Sequence, residues 1–520
     1  MTKANATCHA AALLALLPVF AASAAVPAAR CRKTDKPETG LQGLTSQAEI
    51  DSGAAAKGFN CNADVVGQYQ GEGASWQLTA WKNCAYFDQT LNSAEAHPGT
   101  VVVDVSDPAN PKPTAWLADN SMLDPWESLK VNPKRQLLAG DQKSGPGFVI
   151  YDISQDCKHP VKKGDINVAG SLGHTGQWAP DGNTYYITPL RNDQTLIAID
   201  TTDISNPKMI PCGAGTYGCQ PNGFFIAPAD IPQPRWHDIN FSADGNTLYA
   251  SMLGTGDVSA TNGLVIVDVS DFQQRRPNPA VRLLSAMTWD DGSIGAQDAL
   301  PITIKGKPYI LFADESGGPS TGCPQGKSAA GFPRLIDISD PKNPKTVAKL
   351  MLQIHEPANC TAAATTPITN ATSSAPFGFS CHYCNVDDAD NAKFAACNCF
   401  AAGFRVFDIS DVNAVKEVAY MKPPAQGTKP LPGSQYAGRA GPTWVRNFDW
   451  ATSKPSFPKD RGMSSGDIWT TSQDNGFMVV KLDSSLYSHG GCASADVSLG
   501  GLILLALGEM VRRRRSRRGQ

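Results

Sequence analysis

Three features of the 520-residue sequence predict an all-β chain organised as a seven-bladed β-propeller. A short apolar run ending in aspartate recurs seven times, and an Asp-Gly-Asn turn between apolar segments precedes it in the clearest copies. The copies are spaced so that each can own one four-stranded sheet plus inserted loops.

The runs are Val101–Asp104, Val149–Asp152, Leu196–Asp200, Leu264–Asp268, Leu335–Asp337, Phe404–Asp408 and, more weakly, Met478–Asp483. β-branched residues suit a buried pleated strand, and the aspartate can accept backbone N–H groups beyond it. Prolines such as Pro108, Pro111, Pro341 and Pro344 then forbid continued pairing. Successive aspartates lie 48, 48, 68, 69, 71 and 75 residues apart. A blade needs about 40–50, so the later units must carry inserted loops.

The turns Asp181-Gly182-Asn183 and Asp244-Gly245-Asn246 are hairpin signals. Each unit therefore reads inner strand, hairpin, second strand, marker strand, outer strand. A β-sandwich array or a parallel β-helix accounts poorly for units of this length with an internal hairpin. The seventh copy runs into the polar stretch Ser484–Gly490 with no outer strand evident. Ala63–Tyr69 sits where a strand borrowed from the other terminus would start, and is expected to complete that blade.

The L-V-I-V-D run at Leu264–Asp268, and the S-D-P-x-N-P segments at Ser106–Pro111 and Ser339–Pro344, resemble the LVIVD-repeat family of bacterial and archaeal surface proteins. The resemblance covers most of residues 64–486 and implies a β-propeller at the cell surface.

The ends support export. Lys3, the apolar stretch Ala11–Phe20 and Ala22-Ser23-Ala24 read as a signal peptide over residues 1–24. A lipoprotein signal fits poorly, because Arg30 immediately precedes Cys31. Residues 25–62 read as a linker, 63–486 as the propeller and 487–520 as a sorting or anchor segment. In that last segment Cys492 precedes an apolar run, Val497–Val511, and an arginine cluster from Arg512. As a helix the run would span only about 22 Å against a hydrocarbon core of about 30 Å. The order of cysteine, apolar run and arginines resembles the MYXO-CTERM type of C-terminal sorting signal, which implies processing near Cys492 and display on the surface. The alternative is a simple C-terminal membrane anchor. Display at the cell surface or outer membrane, or release, is the expected location.

Charge excludes one class of partner: 45 basic and 48 acidic residues leave a net charge of -3, no basis for nucleic-acid binding. Of 14 cysteines, Cys8 leaves with the signal and Cys492 belongs to the tail; twelve remain, an even number that suggests disulfides in an exported chain. Cys212 and Cys219 can close a small ring. The group Cys360, Cys381, Cys384, Cys397 and Cys399 has spacings that also suit zinc, although an oxidising compartment favours disulfides. Sequence leaves the pairing open.

Counting back from each hairpin, His174, His237 and His382 coincide at the start of the inner strand, and Glu127 falls in the same register. Asp298 and Asn447 are the approximate equivalents in the fifth and seventh blades. Inner strands surround the axial channel, so imidazoles and a carboxylate there form a candidate site for a divalent transition metal such as zinc, copper or iron. The same residues would also serve as polar channel lining or as hydrogen-bonded ties between blades. His355-Glu356 is a further candidate, whereas His159 and His489 read as loop residues. No Gly-x-Ser-x-Gly elbow, phosphate loop or dinucleotide fingerprint occurs.

Two functions follow. One is a surface binding or interaction protein for a cell-envelope or extracellular ligand, with 213–232 and 360–379 as contact loops and membrane association through the tail. The other is a metal-dependent enzyme, such as an oxidase, using the axial histidines.

Overall fold

The structure is a computed structural model. It describes residues 25–487 except 75, 90–95, 190–194, 232–234, 254–261, 318–321, 366–376, 424–465 and 473–474. Residues 1–24, read as a signal peptide, and 488–520, which include His489, Cys492 and nearly all of the segment read as a sorting signal, lie outside the described residues, as does Asn447.

Seven antiparallel sheets form the ring of blades the sequence predicts. The fourth blade shows the unit plainly: inner strand Arg235–Phe241, second strand Thr247–Leu253, marker strand Gly263–Asp268, outer strand Arg282–Thr288, each paired to the next. All seven marker aspartates behave alike. Asp104, Asp152, Asp200, Asp268, Asp337, Asp408 and Asp483 each accept the N–H of the residue two further on, at 2.8–3.1 Å. That bond stops the strand, and in the first six blades it turns the chain toward the outer strand, whereas after Asp483 the chain enters a short 3-10 turn, Ser484–Leu486.

The ring closes as expected. Ala63–Tyr69 pairs antiparallel with Gly476–Leu482, which pairs with Asp467–Ser472. Strands from both ends of the propeller are thus joined in the seventh blade. Residues 25–62 do not trail away from it. Phe59–Cys61 adds a fifth strand to the sixth blade, against Lys416–Lys422. Upstream, the buried Glu38 carboxylate meets Arg405 at 2.9 Å and Lys422 at 3.0 Å.

Apolar side chains pack between blades. Each of seven buried clusters draws on two neighbouring blades, including one that closes the circle by setting Trp469, Phe477 and Val479 against Leu78, Phe87 and Val101. Stacked sheet faces bury their inward residues on both sides, which is why the strands read as continuous apolar runs.

Twelve described cysteines form six disulfides: Cys31–Cys61, Cys84–Cys157, Cys212–Cys219, Cys323–Cys360, Cys381–Cys399 and Cys384–Cys397. The dense cysteine group is therefore a set of covalent ties, and its zinc reading falls. The inserted residues are unevenly placed. Connections 211–234, 317–333 and 350–380 all begin and end on one face, where inner strands start and second strands end. On the other face lie the short hairpins and the marker turns, the longest of them 269–281. Cys323–Cys360 joins two of the long connections, and Cys212–Cys219 closes a ring within the third.

Candidate metal centre

The loop-bearing face is also where the axial residues meet. His174 immediately precedes the third inner strand, Thr175–Trp178. Glu127 sits before the second, Lys130–Asn132, and its N–H donates to the His174 carbonyl at 3.3 Å. Just before it Trp126 holds a left-handed backbone with φ of 47°, a conformation that costs a non-glycine residue about 1 kcal/mol or more.

The fourth, fifth and sixth inner strands reach the same level by a common device. Each pairing ladder slips there by one residue, at His237-Asp238, Gln297 and His382 respectively. A β-bulge re-aims the extra side chain. All three aim one at the axis.

The resulting cluster is compact. Glu127 Oε2 lies 3.2 Å from His174 Nε2 and 3.4 Å from His237 Nε2, and those two nitrogens are 3.2 Å apart. Glu127 Oε1 lies 3.0 Å from His382 Nε2 and accepts the Gln297 side-chain amide at 2.9 Å. His382 Nε2 is also 3.2 Å from Glu315 Oε2. Glu127 and His237 are each 2% exposed and His382 1%, while His174 at 16% and Glu315 at 12% stand nearer solvent.

Surrounding groups hold these donors in place. His237 Nδ1 faces the Gln297 carbonyl at 3.4 Å, which leaves Nε2 toward the axis. That carbonyl also accepts Ser251 Oγ at 2.8 Å. His382 stands between the two disulfides that join its strand to the next, Cys381–Cys399 and Cys384–Cys397. Trp76 packs edge-on against the His382 ring at 5.3 Å, Trp126 lies 6.0 Å from the His174 ring, and the two tryptophans are 4.5 Å apart.

Electrostatics follow from burial and proximity. Burial alone would raise the Glu127 carboxyl, but His237, His174 and His382 outweigh it and hold the group well below the usual range. Burial pushes the His174 ring down. It would do the same to His382, yet Glu127 and Glu315 hold that ring up at about 9. Deeper in the channel, a cavity of about 210 Å³ is lined by Gln77, Lys130, Gln177 and Asn385 among others.

All four residues proposed from sequence, Glu127, His174, His237 and His382, converge. Asp298 does not join them. Its carboxylate accepts Asn240 Nδ2 at 2.8 Å one step down the channel, and its neighbour Gln297 occupies the expected place. The fifth inner strand is longer and ends in a tight Lys305-Gly306 turn, with φ of 50° and 78°, so counting back from the hairpin lands one residue off. His355 is structural: Nδ1 accepts the Leu352 N–H at 3.2 Å and Nε2 meets the Phe379 carbonyl at 2.9 Å. Glu315 lies at the end of a second strand, Lys307–Ser316, outside the inner-strand register that His174, His237, His382 and Glu127 share.

Comparison with known proteins bears on the fold. The family model for the LVIVD repeat matches residues 94–113 and 258–272. The chain is thus a seven-bladed β-propeller carrying LVIVD repeats. No curated protein matches it in sequence. Among solved structures it is similar to hydrazine synthase of Kuenenia stuttgartiensis, with a TM-score of 0.47, 11% identity, and 80% of this chain and 97% of that one covered. It is also similar to the Cps50 (Swd1) β-propeller domain of Myceliophteria thermophila, with a TM-score of 0.44, 10% identity, and 80% and 98% covered. Neither likeness says anything about chemistry.

Proposed function

We propose that this chain is an exported surface β-propeller that holds a divalent transition-metal ion at the loop-bearing mouth of its channel and presents that ion to a ligand or substrate. One observation carries the reading. Glu127 Oε2, His174 Nε2 and His237 Nε2 form a nearly equilateral triangle with edges of 3.2–3.4 Å. Metal–ligand bonds of about 2.0–2.1 Å set the ligand atoms of a tetrahedral ion about 3.3–3.4 Å apart. The triangle thus has the dimensions of one face of such a site. Glu127 Oε2 is buried with the His174 and His237 nitrogens close by but no hydrogen bond aligned on it, an arrangement that an ion held between the three atoms would satisfy. Two imidazoles and a carboxylate suit zinc, copper or iron, which would act as a Lewis acid or redox centre with further positions open.

Six disulfides support export, as do the signal-like start and the tail, read as a sorting signal that brings the protein to the cell surface or outer membrane. The loops around the mouth support ligand recognition there. A second reading, a metal-independent interaction protein, is favoured by the Cys323–Cys360 tie between two long loops, which gives a fixed surface without need of an ion. Elemental analysis of protein purified from an oxidising compartment separates the two. At least one equivalent of metal per chain is expected, with the content reduced in His174→Ala and in His237→Ala. Folded protein that stays metal-free after incubation with zinc, copper and iron salts would overturn the metal reading.

A further inference from the structure

We infer that the centre is dinuclear, with the Glu127 carboxylate bridging two ions; this rests on the metal reading above. The candidate ligands do not converge as one set. Their ligand atoms fall into two groups, each mutually within 4.8 Å: Glu127, His174 and His237, and Glu127, His382 and Glu315. Glu127 alone belongs to both. Its two oxygens divide the groups, with Oε2 facing His174 and His237 and Oε1 facing His382. A carboxylate that offers one oxygen to each of two donor sets is the geometry of a bridge, and paired ions in such sites stand about 3.5–4 Å apart. Glu315 completes the second set, with Oε2 at 3.2 Å from His382 Nε2.

The two halves differ chemically. The first offers two imidazoles and one carboxylate oxygen, a borderline donor set suited to zinc, copper or iron. The second offers one imidazole and two carboxylates, a harder set that also suits manganese. Gln297, donating to Glu127 Oε1, fixes the bridge so that neither half can take the whole carboxylate. Both halves open toward the same loop-bearing face, and Glu315 and His174 are their most exposed members. A ligand arriving from that face would meet both ions, as in sites that polarise an oxyanion or a phosphoryl or carbonyl oxygen between two metals.

The competing arrangement has one ion on His174, His237 and Glu127, with a protonated His382 held between Glu127 and Glu315. Stoichiometry decides. Full-length protein stripped with a chelator would be titrated with Cu(II) or Mn(II) and the bound metal counted by mass spectrometry. Two equivalents per chain are expected for the wild type and one for Glu315→Gln, a substitution that preserves side-chain size. His174→Ala should also retain one, in the other half. Copper-loaded wild type should show the weakened electron paramagnetic resonance signal of a coupled pair, and Glu315→Gln the full signal of an isolated ion. One equivalent in the wild type, unchanged in Glu315→Gln, would overturn the dinuclear inference and leave the single-metal reading standing. No metal in any form would overturn both.

Discussion

The Glu38→Gln substitution is the sharpest test of how the N-terminal segment is fastened. Glu38 lies in a buried charge cluster: Arg405 reaches both its oxygens at 2.9 and 3.0 Å, Lys422 lies at 3.0 Å, and the Gly43 N–H donates at 2.9 Å. Burial would raise this carboxyl, but Arg405 and Lys422 outweigh it and hold it down at about 2, from an ordinary value of 4.5. At about 1.4 kcal/mol for each tenfold, that difference is worth about 3 kcal/mol. Removing one partner of a buried pair costs about 3–5 kcal/mol, in agreement. Cys31–Cys61 keeps the segment tethered, so the effect should appear as local opening. Hydrogen exchange of the Phe59–Cys61 amides at pH 7 should accelerate about a hundredfold in the variant. Because the folded value lies below the unfolded one, the contribution is complete above about 4.5 and is lost as pH falls through about 2. The gap between wild type and variant should therefore narrow in acid. A less than fivefold change at pH 7, or a gap equally wide at pH 2.5, would refute the reasoning.

Three further outcomes are expected. Burial holds the His355 ring down at about 4, below its ordinary 6.5, so its contribution is complete above about 6.5 and is lost as pH falls through about 4. The urea midpoint of the wild type should drop across that range more steeply than that of His355→Gln, and parallel curves would exclude the assignment. In Gly67→Val, the new Cβ would run into the Pro108 carbonyl beside the closing strand. Overpacking of this kind costs about 1–3 kcal/mol, and should show as a lower melting temperature with new proteolytic cleavage near 63–69. Replacing Cys384 and Cys397 together by serine should leave the ring folded but weaken metal binding about tenfold or more by freeing His382, measured by competition with a chelating dye.

The fold was legible because its signals are local. Each marker aspartate solves one problem, ending a strand with its own carboxylate, so the solution recurs wherever a blade does. Ring closure was legible for a complementary reason: a last blade lacking a strand and a strand lacking a blade imply each other. The site was legible only in part. His174, His237, His382 and Glu127 share a register visible in sequence, but Glu315 enters from a second strand. Its neighbourhood, Ala313-Asp314-Glu315-Ser316, reads as the end of a strand. Only the topological fact that second strands end on the face where inner strands begin would have drawn attention to it.

The bulges were the part that sequence could not show, and they say most about the site. Bulges are common in this ring, since six of the seven outer strands also slip by one residue against their marker strands, so what distinguishes the inner strands is where their slips fall. Here three consecutive inner strands slip at the same depth, at His237-Asp238, Gln297 and His382. The second and third inner strands deliver their groups differently, from residues just before pairing begins: Glu127 beside the strained Trp126, and His174. The backbone thus departs from ideal pairing at the level where donors converge. On the outer strands the slips fall away from the axis, whereas on these three inner strands each slip turns a polar side chain into the cluster around Glu127. The departures are understandable if the mouth of the channel is shaped around what its side chains hold.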